Sequence, residues 1–307
     1  MSILEVENLS VSFKQYTDGL KEINHKVISS LSVTLEAGEI LAVVGASGSG
    51  KSLLAHAILG ILPSNASISG TIKYKGEELT AARLATLRGK ELALVPQSVN
   101  FLDPLMRVGS QVRTAANSGD AVSAQRKVFE RYHLGKEVES MYPFQLSGGM
   151  ARRTLLSTAM VSGAKVIIAD EPTPGLDPIV IKEALSNFRE FADNGCAVML
   201  ITHDIESALQ IADKIAVFYA GTTVEIASVK DFVGKGEAIR HPYTKALWRA
   251  LPQNEFIPIP GSQPHPSSLP PGCLFAPRCE MATPECQQAP PEMRELRNGM
   301  VRCIHAT

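Results

Sequence analysis

The order of apolar and polar residues along the chain predicts two kinds of β-strand. Near the start, single apolar residues alternate with polar ones, at Leu4, Val6, Leu9, Val11 and Phe13, and again at Leu31, Val33 and Leu35. A period of two is typical of an antiparallel sheet with one covered face. Three later runs are almost continuously apolar, at residues 39–44, 164–169 and 197–202. We therefore expect those runs to form strands that are buried on both faces, as in a parallel sheet.

Helix-like stretches follow the buried strands, which predicts an α/β fold with a parallel sheet covered by helices. In such sheets the reactive groups gather at the carboxyl ends of the strands. Residues from about 85 to 160 have a mainly helical, less apolar pattern, so we expect a helical subdomain inserted there. After about residue 235 the pattern changes again, because most of the 19 prolines follow. We predict a main domain over residues 1–234 and a loop-rich C-terminal extension over residues 235–307.

Composition and charge exclude some classes of protein. With 45% hydrophobic and 20% charged residues among 307, the chain resembles an ordinary globular protein. Its net charge of −1 gives no reason to expect a nucleic-acid partner. No apolar run approaches the roughly 20 residues that cross a bilayer, and the N-terminus lacks a signal-peptide pattern. We therefore expect a cytosolic chain that reaches a membrane only by docking onto other subunits.

A phosphate-binding loop is predicted directly after the first buried strand. Residues 45–52, GASGSGKS, fit the pattern G-x-x-x-x-G-K-S between a strand and an apolar helix. The glycines let backbone N–H groups turn towards phosphate oxygens at a helix N-terminus. Lys51 is expected to contact the β- and γ-phosphates, and the Ser52 hydroxyl to bind Mg²⁺. The predicted nucleotide-binding residues of the loop are Gly45, Ser47, Gly48, Ser49, Gly50, Lys51 and Ser52.

Two consecutive acids end the second buried strand. Asp170 and Glu171 follow the apolar residues 166–169. A carboxylate at the end of a buried strand is costly unless it meets a cation, so Asp170 is expected to hold Mg²⁺. Glu171 is then placed to polarise the water that attacks the γ-phosphate. Such acids can also be mere helix caps, but together with the phosphate loop they predict a nucleoside triphosphatase.

The segment QLSGGM at residues 145–150 narrows this class. It resembles the LSGGQ signature of the ABC-type ATPases, and a serine followed by two glycines can form an anion site at a helix entry. As an isolated string it could be an ordinary helix N-cap. The resemblance implies an ABC-type phosphate-loop core with an antiparallel β subdomain. It also implies that four residues contact the ATP of a partner subunit: Ser147, Gly148, Gly149 and Met150.

Four further residues resemble landmarks of the ABC family, in the expected order along the chain. Gln97 resembles the Q-loop glutamine, which touches Mg²⁺ and links to the membrane subunits. Asp177 resembles the D-loop acid, which contacts the opposite nucleotide site. His203 resembles the switch histidine, which senses the γ-phosphate and acts with Glu171 in catalysis. Phe13, with Tyr16 as the alternative, is expected to stack on adenine, although an aromatic residue in an edge strand is usually just packed.

Two segments of the tail resemble the C-terminal extension of the peptide and nickel importer ATPases, HPYTKAL at 241–247 and PGCLFAPRC at 271–279. That resemblance implies a D-type, ATP-hydrolysing subunit, peripheral on the cytoplasmic face of the cell membrane. The implied partners are a second ABC ATPase subunit in a heterodimer, two transmembrane permease subunits and an extracellular substrate-binding protein. Peptides are the expected substrate, with nickel or a metal–chelator complex as the alternative.

A soluble ABC ATPase of DNA repair or of the ribosome is a remote alternative. Repair members carry a long coiled-coil insertion, and ribosomal members usually carry two ATPase units in one chain. This sequence has no heptad run, one ATPase unit and the importer-type tail. It departs from the family pattern at Met150, where glutamine is usual, and at Pro174 and Gly175, before the D-loop Leu-Asp. Neither departure removes a catalytic group.

Four of the five cysteines lie within the last 35 residues, at Cys273, Cys279, Cys286 and Cys303. A reducing compartment disfavours disulfides, so the group needs another explanation. Four thiolates suit zinc or an iron–sulfur cluster, and free thiols remain the third alternative. Structural zinc sites usually use closely spaced pairs, which are absent here. The resemblance to peptide-importer subunits with a C-terminal 4Fe–4S cluster favours iron–sulfur. Cys196, within an apolar run, is expected to be an inert buried thiol.

Overall fold

The computed structural model describes residues 2–16, 22–117 and 119–307. These residues fall into two compact units. The first comprises residues 2–3, Leu35–Ile40 and Leu79–Thr202, and the second comprises Leu4–Thr34, Leu41–Glu78 and His203–Thr307. Within the described residues, we find no helix with both the length and the apolar character needed to span a membrane.

The chain contains strands and helices in alternation. The strands are β1 (Ser2–Tyr16), β2 (Glu22–Glu36), β3 (Ile40–Gly45), β4 (Ala66–Tyr74), β5 (Glu77–Glu78), β6 (Leu92–Val95), β7 (Val166–Asp170), β8 (Ala197–Thr202), β9 (Lys214–Tyr219), β10 (Thr222–Ser228), β11 (Arg294–Leu296) and β12 (Gly299–Val301). The helices are α1 (Lys51–Leu59), α2 (Ala81–Leu87), α3 (Val108–Ala115), α4 (Ala121–Arg131), α5 (Gly148–Val161), α6 (Pro178–Asp193), α7 (Ile205–Ile211) and α8 (Pro242–Arg249).

The first unit is built on three parallel strands in the order β6-β7-β8. Ile168 of β7 lies between Leu94 of β6 and Met199 of β8. All residues of β7 and β8 are buried, as their continuous apolar runs predict. Helices α3 and α4 pack against α5 and form most of the helical segment that the sequence predicts. The carboxyl ends of the parallel strands carry the predicted acids.

The antiparallel sheet of the second unit has the order β2-β1-β4-β5. Strand β1 pairs antiparallel with β4, and the register shifts between Glu7 and Ser10. Asn8 lies at this bulge with a φ of 50°. The extra residue explains why the apolar alternation of β1 slips from Val6 to Leu9, since a bulge moves the following side chains to the other face. The predicted one-sided sheet is confirmed.

The other sheet of the second unit runs in the order β11-β12-β10-β9-β3. Strands β3 and β9 are parallel, and the remaining pairs are antiparallel. The two C-terminal strands form a hairpin whose turn residues, Arg297 and Asn298, both have positive φ, as a two-residue turn of this kind requires. The tail therefore adds two strands to the sheet, through pairs such as Glu225 with Val301. The α/β fold with an antiparallel subdomain is confirmed.

Candidate functional site

The phosphate loop joins β3 to α1 in the second unit. Strand β3 ends at Gly45, and α1 begins at Lys51 with Gly50 as its N-cap at a φ of 95°. The N-cap Gly50 makes no side-chain capping bond, and a helix N-terminus is a favourable place for an anion. Gly48 has a φ of 77°, and no described atom lies within 4 Å of where its Cβ would stand. The loop therefore fits a phosphate group.

The base of this loop lies close to β9. A Cβ on Gly45 would stand 2.4 Å from the Phe218 carbonyl oxygen, so only glycine fits there. The buried Lys51 donates from Nζ to the carbonyl oxygens of Gly45 (2.9 Å) and Ala46 (3.1 Å). The Ser49 hydroxyl is buried and has no hydrogen-bond partner among the residues that the structure describes. Lys51 is thus held within the loop, where a phosphate would meet its charge.

The two predicted acids lie at the carboxyl end of β7 in the first unit. Asp170 is the last residue of the strand, and both it and Glu171 are buried. The Glu171 N–H donates to the Ile201 carbonyl oxygen of β8 at 2.8 Å. Glu171 has a φ of 48°, which costs a residue with a side chain on the order of 1–3 kcal/mol. Such strain clusters at functional sites, although the catalytic role of Glu171 stays a prediction.

Arg152 connects three of the predicted loops in the first unit. It lies on α5, and its Nη1 donates to the backbone carbonyl of the exposed Gln97 at 3.3 Å. Its Nε is 3.4 Å from the place that a Cβ of Gly175 would take. A Cβ on Gly149 would stand 3.9 Å from the Gly175 carbonyl oxygen. The Q-loop, the signature helix and the D-loop segment therefore meet, and the sequence analysis missed the residue that joins them.

Two predicted contact residues cap helices of this chain. Ser147 is the N-cap of α5, and its Oγ accepts from the Met150 N–H at 3.3 Å. Asp177 is the N-cap of α6, and its Oδ1 accepts from the N–H groups of Ile179 (3.2 Å) and Val180 (3.1 Å). Serine and aspartate are preferred at such positions. The capping interaction considered for Ser147 is present, and the contacts of both residues with a partner's ATP stay predictions.

The unusual Gly175 before the D-loop Leu-Asp has a structural reason. Its φ is 76°, in the region that glycine adopts without steric cost. The alanine that is commoner at this position in the family would be strained in this conformation and would approach Arg152. The departure therefore follows from the local backbone. In the signature segment, a Cβ placed on Gly148 would have no described atom within 4 Å.

The predicted switch histidine, His203, and the predicted adenine-stacking residue, Phe13, both belong to the second unit. His203 directly follows β8, belongs to the second unit and is exposed. The next residue, Asp204, caps α7 by accepting from the Ser207 N–H at 3.1 Å. Phe13 is half-buried in β1, opposite Ala66 of β4. The side chain of its alternative, Tyr16, lies outside the described residues. The roles of His203 and Phe13 stay predictions.

The four tail cysteines converge on one small pocket, lined by Cys273, Cys279, Cys286 and Cys303. The Cys273 N–H donates to the Cys286 carbonyl oxygen at 2.7 Å. Burial raises the pKa of the Cys273, Cys279 and Cys303 thiols, and neighbouring cysteines add to the effect. No described group of three or more Cys, His, Asp or Glu side chains is arranged to hold a metal ion. The four cysteines thus share one pocket, and the ligand that they hold stays a prediction. Burial also raises the pKa of the buried Cys196 thiol to about 11, which keeps it protonated.

Comparison with known families agrees with this arrangement. Residues 28–174 match the family described as ABC transporter. Residues 224–286 match the family described as Oligopeptide/dipeptide transporter, C-terminal region. The second match covers most of β10, all of α8 and the tail up to Cys286.

Two relatives are similar along almost the whole chain. The oligopeptide transport ATP-binding protein OppD of Salmonella typhimurium is 34% identical over 298 residues, covering 91% of this chain and 87% of that protein. The dipeptide transport ATP-binding protein DppD of Bacillus subtilis is 34% identical over 304 residues, covering 90% of this chain and 86% of that protein.

Solved structures show the same fold. A dimeric ATP-binding cassette bound to ADP and Pi has a TM-score of 0.65 at 22% identity, covering 74% of this chain and 98% of that one. The ATP-binding subunit of an ABC transporter has a TM-score of 0.63 at 25% identity, covering 75% of this chain and 92% of that one. The fold, the phosphate loop and these similarities lead to one conclusion: the chain belongs to the ATP-binding subunits of ABC transporters, which bind and hydrolyse ATP with Mg²⁺.

Proposed function

We propose that this chain powers a peptide importer by hydrolysing ATP at the cytoplasmic face of the membrane. The observation that carries the proposal is the tail, whose residues 224–286 match the C-terminal region of oligopeptide/dipeptide transporters. This match is separate from the ATPase match over residues 28–174. The relatives whose names specify oligopeptide or dipeptide transport extend over both regions.

A small set of residues binds the nucleotide and Mg²⁺ and carries out hydrolysis. The N-terminus of α1 and the Lys51 ammonium bind the β- and γ-phosphates. Ser52 and Asp170 hold Mg²⁺, and Gln97 adds a contact to it. Glu171 polarises the attacking water, and His203 contacts the γ-phosphate. The glycine N-cap of α1, the buried Lys51 and the positive φ of Glu171 support this assignment.

The signature segment serves the ATP of a second ATPase subunit. Gly148 and Gly149 open α5 with N–H groups that can receive a γ-phosphate, and Ser147 and Met150 flank them. Asp177 contacts the same partner through the D-loop. A composite site of this kind needs two ATPase subunits, and we propose that the second is a different chain, giving a heterodimer.

An apolar groove in the first unit suits a membrane partner. It has a volume of about 400 Å³ and is lined by Val99, Leu102, Pro104, Phe144 and Ala151, among others. Phe144 is 75% exposed, and the neighbouring Leu105 is 87% exposed. Exposed apolar patches of this kind mark interaction sites. The lining residues Val99 and Leu102 follow closely after Gln97 in the sequence. Because Gln97 resembles the glutamine that links to the membrane subunits, we assign the groove to the two permease subunits. Substrate selection then belongs to those subunits and to an extracellular binding protein.

Transport by the complete complex tests the substrate class. The chain is reconstituted in vesicles with its partner ATPase, its permease subunits and its binding protein. We expect peptide-loaded binding protein to raise ATP turnover, and labelled di- or oligopeptides to accumulate only with ATP. Accumulation of Ni²⁺ or of a nickel–chelator complex, with no peptide uptake, would replace the peptide assignment with the metal one.

For the tail, we propose that Cys273, Cys279, Cys286 and Cys303 hold a 4Fe–4S cluster. In such a cluster each thiolate binds its own iron, so the four sulfurs need not meet around one ion. A zinc site, in contrast, draws four ligands around a single ion. The proposal is supported by the four cysteines that line one pocket and by the resemblance of the tail to importer subunits that carry such a cluster. When bound, it would stabilise the loop-rich tail by offsetting the entropy of ordering it.

Anaerobic purification tests the cluster. We expect a brown protein with broad absorbance near roughly 400 nm, as is general for such clusters. Cys303→Ser should lose the colour, whereas Cys196→Ser, which changes a cysteine outside the pocket, should keep it. A colourless anaerobic sample with stoichiometric zinc would assign the pocket to zinc. A sample with neither metal would overturn both assignments.

A further inference from the structure

A residue of the C-terminal tail contacts the phosphate loop within the second unit. Gln263 is half-buried, and its Nε2 donates to the carbonyl oxygen of Gly48 at 3.5 Å. The bond is long, since N–H···O bonds in proteins usually measure about 2.7–3.2 Å. Both residues belong to the second unit. The tail therefore reaches the loop in which we expect the phosphates to bind.

This contact fixes one peptide unit of the loop from outside. In a planar trans peptide the carbonyl and the following N–H point in opposite directions. The Gly48 carbonyl faces Gln263, and the Ser49 N–H on the other side of the same peptide donates to the Ala46 carbonyl oxygen at 3.2 Å. The Ser49 carbonyl oxygen accepts from the Gly221 N–H at 3.1 Å, in the turn between β9 and β10. Gln263 thus adds an anchor from the tail to those that the rest of the unit provides.

The anchored peptide lies between two glycines with unusual backbone angles. Gly48 has a φ of 77° and Gly50 a φ of 95°. Glycine reaches such angles easily but loses much conformational freedom when it is held in one of them. A loop that is held in its binding shape before nucleotide arrives loses less entropy on binding, which raises affinity. An anchor on the Gly48 carbonyl is therefore well placed to contribute to nucleotide binding.

The tail segment that carries Gln263 has few alternative backbone conformations. Its sequence over residues 257–264 is IPIPGSQP, with prolines at positions 258, 260 and 264. Proline fixes its own φ, and it also restricts the residue before it to extended conformations. Gln263 directly precedes Pro264, so its own backbone is restricted in this way. The segment can therefore present the Gln263 side chain at a small entropic cost.

Arg278 holds this segment against the body of the second unit. Its Nε donates to the Pro260 carbonyl oxygen at 2.7 Å, and its Nη2 donates to the Ile259 carbonyl oxygen at 3.2 Å. Its Nη1 donates to the hydroxyl of Tyr219, at the end of β9, at 3.2 Å. Arg278 directly precedes Cys279 in the sequence. The position of Gln263 is thus connected by hydrogen bonds to the sheet and to the region of the cysteine pocket.

The Gln263 side chain contributes little to the stability of the fold. Its Oε1 is buried and has no hydrogen-bond partner in the part of the chain that the structure describes. A buried acceptor without a partner costs free energy, and the Nε2 on the same amide makes only the long bond to Gly48. Buried polar atoms without partners are rare in native proteins, and each calls for an explanation. A role at the phosphate loop supplies one.

We propose that Gln263 is a positioning residue for the phosphate loop. Its amide holds the Gly48 carbonyl, and Arg278 holds the segment that carries it. The tail thereby raises the affinity of this chain for nucleotide. The inference depends on the ATP binding that the family shares, and it holds whichever substrate the transporter carries and whichever ligand the cysteines bind.

Nucleotide binding by two matched variants of the full chain tests the proposal. Gln263→Met keeps the length of the side chain and removes the donor to Gly48. Gln253→Met makes the same replacement at an exposed position of the tail. A hydrogen bond of typical net strength corresponds to roughly a 2- to 13-fold change in a dissociation constant. Because the Gln263 bond is long, we expect calorimetry to show that Gln263→Met weakens Mg-ADP binding about threefold, whereas Gln253→Met leaves it unchanged.

Thermal unfolding without nucleotide distinguishes a positioning role from a purely structural one. Gln263→Met removes a buried oxygen that has no partner, so we expect the melting temperature of the nucleotide-free chain to stay the same or rise. Wild-type affinity for Mg-ADP in Gln263→Met would overturn the proposal. A loss of affinity together with a lower melting temperature would also overturn it, because a general loosening of the tail would explain both.

A double-mutant cycle tests the part of Arg278. Arg278→Met removes the donors to the Ile259 and Pro260 carbonyl oxygens. If Arg278 acts on the loop through Gln263, the two substitutions are not additive. We expect Arg278→Met to weaken Mg-ADP binding about twofold when Gln263 is present, and to weaken it no further in Gln263→Met. The same loss in both backgrounds would contradict the connection through Gln263.

Discussion

Glu225 offers the sharpest stability prediction, because it joins β10 to the tail from a fully buried position. Its Oε1 accepts from the Arg240 N–H at 2.8 Å and from Arg240 Nη1 at 3.3 Å. Its Oε2 accepts from the His241 N–H at 2.9 Å. Arg240 continues to Asp231 at 2.8 Å and to the Leu296 carbonyl oxygen at 2.6 Å. One carboxylate thus fixes the start of α8 and, through Arg240, the C-terminal hairpin.

Replacing Glu225 with alanine leaves two buried N–H groups without their acceptor. Each such group costs about 1–3 kcal/mol. The Arg240 guanidinium loses one of its two carboxylates but keeps Asp231 and its carbonyl acceptors, which limits the charge penalty. The sum agrees with the about 3–5 kcal/mol typical of breaking a buried ion pair. As a control, Asp231→Asn changes a carboxylate that is 20% exposed, and we expect it to cost about 1 kcal/mol.

The single tryptophan makes this prediction measurable. Trp248 lies on α8, is buried, and donates from Nε1 to the Gly234 carbonyl oxygen at 3.1 Å. Its fluorescence therefore reports unfolding of the region that Glu225 holds. We expect urea titrations followed by this signal to show the larger loss for Glu225→Ala. A loss below about 1 kcal/mol, or one equal to that of Asp231→Asn, would refute the reasoning.

Two further predictions concern the nucleotide site. Lys51→Ala in this chain should empty its own phosphate loop and leave the partner's loop occupied, because Ser147 contacts the partner's ATP. Photolabelling with an azido-ATP would show which loop is occupied. Full ATPase activity from a strictly monomeric sample would contradict the prediction. Arg152→Gln should keep nucleotide affinity within about twofold and lower ATP turnover in the assembled transporter. The reason is that Arg152 donates to the Gln97 carbonyl and lies next to Gly175 but does not belong to the phosphate loop. Wild-type turnover in that variant would exclude a role for Arg152 in joining these loops.

The elements that sequence reasoning predicted best are those whose burial leaves a simple pattern. Strands β3, β7 and β8 are covered on both faces, so nearly every residue in them is apolar. The bulge in β1 was not predicted, although the apolar period slips between Val6 and Leu9. The phosphate loop could be predicted because its glycines and lysine are required by local geometry alone.

Contacts between distant segments could not be predicted in this way. The pairing of β12 with β10 brings together Val301 and Glu225, which no local periodicity relates. Arg152 occupies an ordinary half-buried helical position, and only the fold shows that it meets Gln97 and Gly175. Long-range hydrogen bonds of this kind leave no period in the sequence.

Glu171→Gln in the assembled transporter tests the central claim most directly. The amide cannot polarise water as the carboxylate does, so general-base catalysis, typically worth about 10²- to 10⁴-fold, should be lost. The account predicts that ATP still binds at this chain's phosphate loop, while turnover at that site falls by orders of magnitude. The partner's site must be inactivated separately, so that its hydrolysis does not mask the effect. Near-normal turnover at this chain's site would contradict the account.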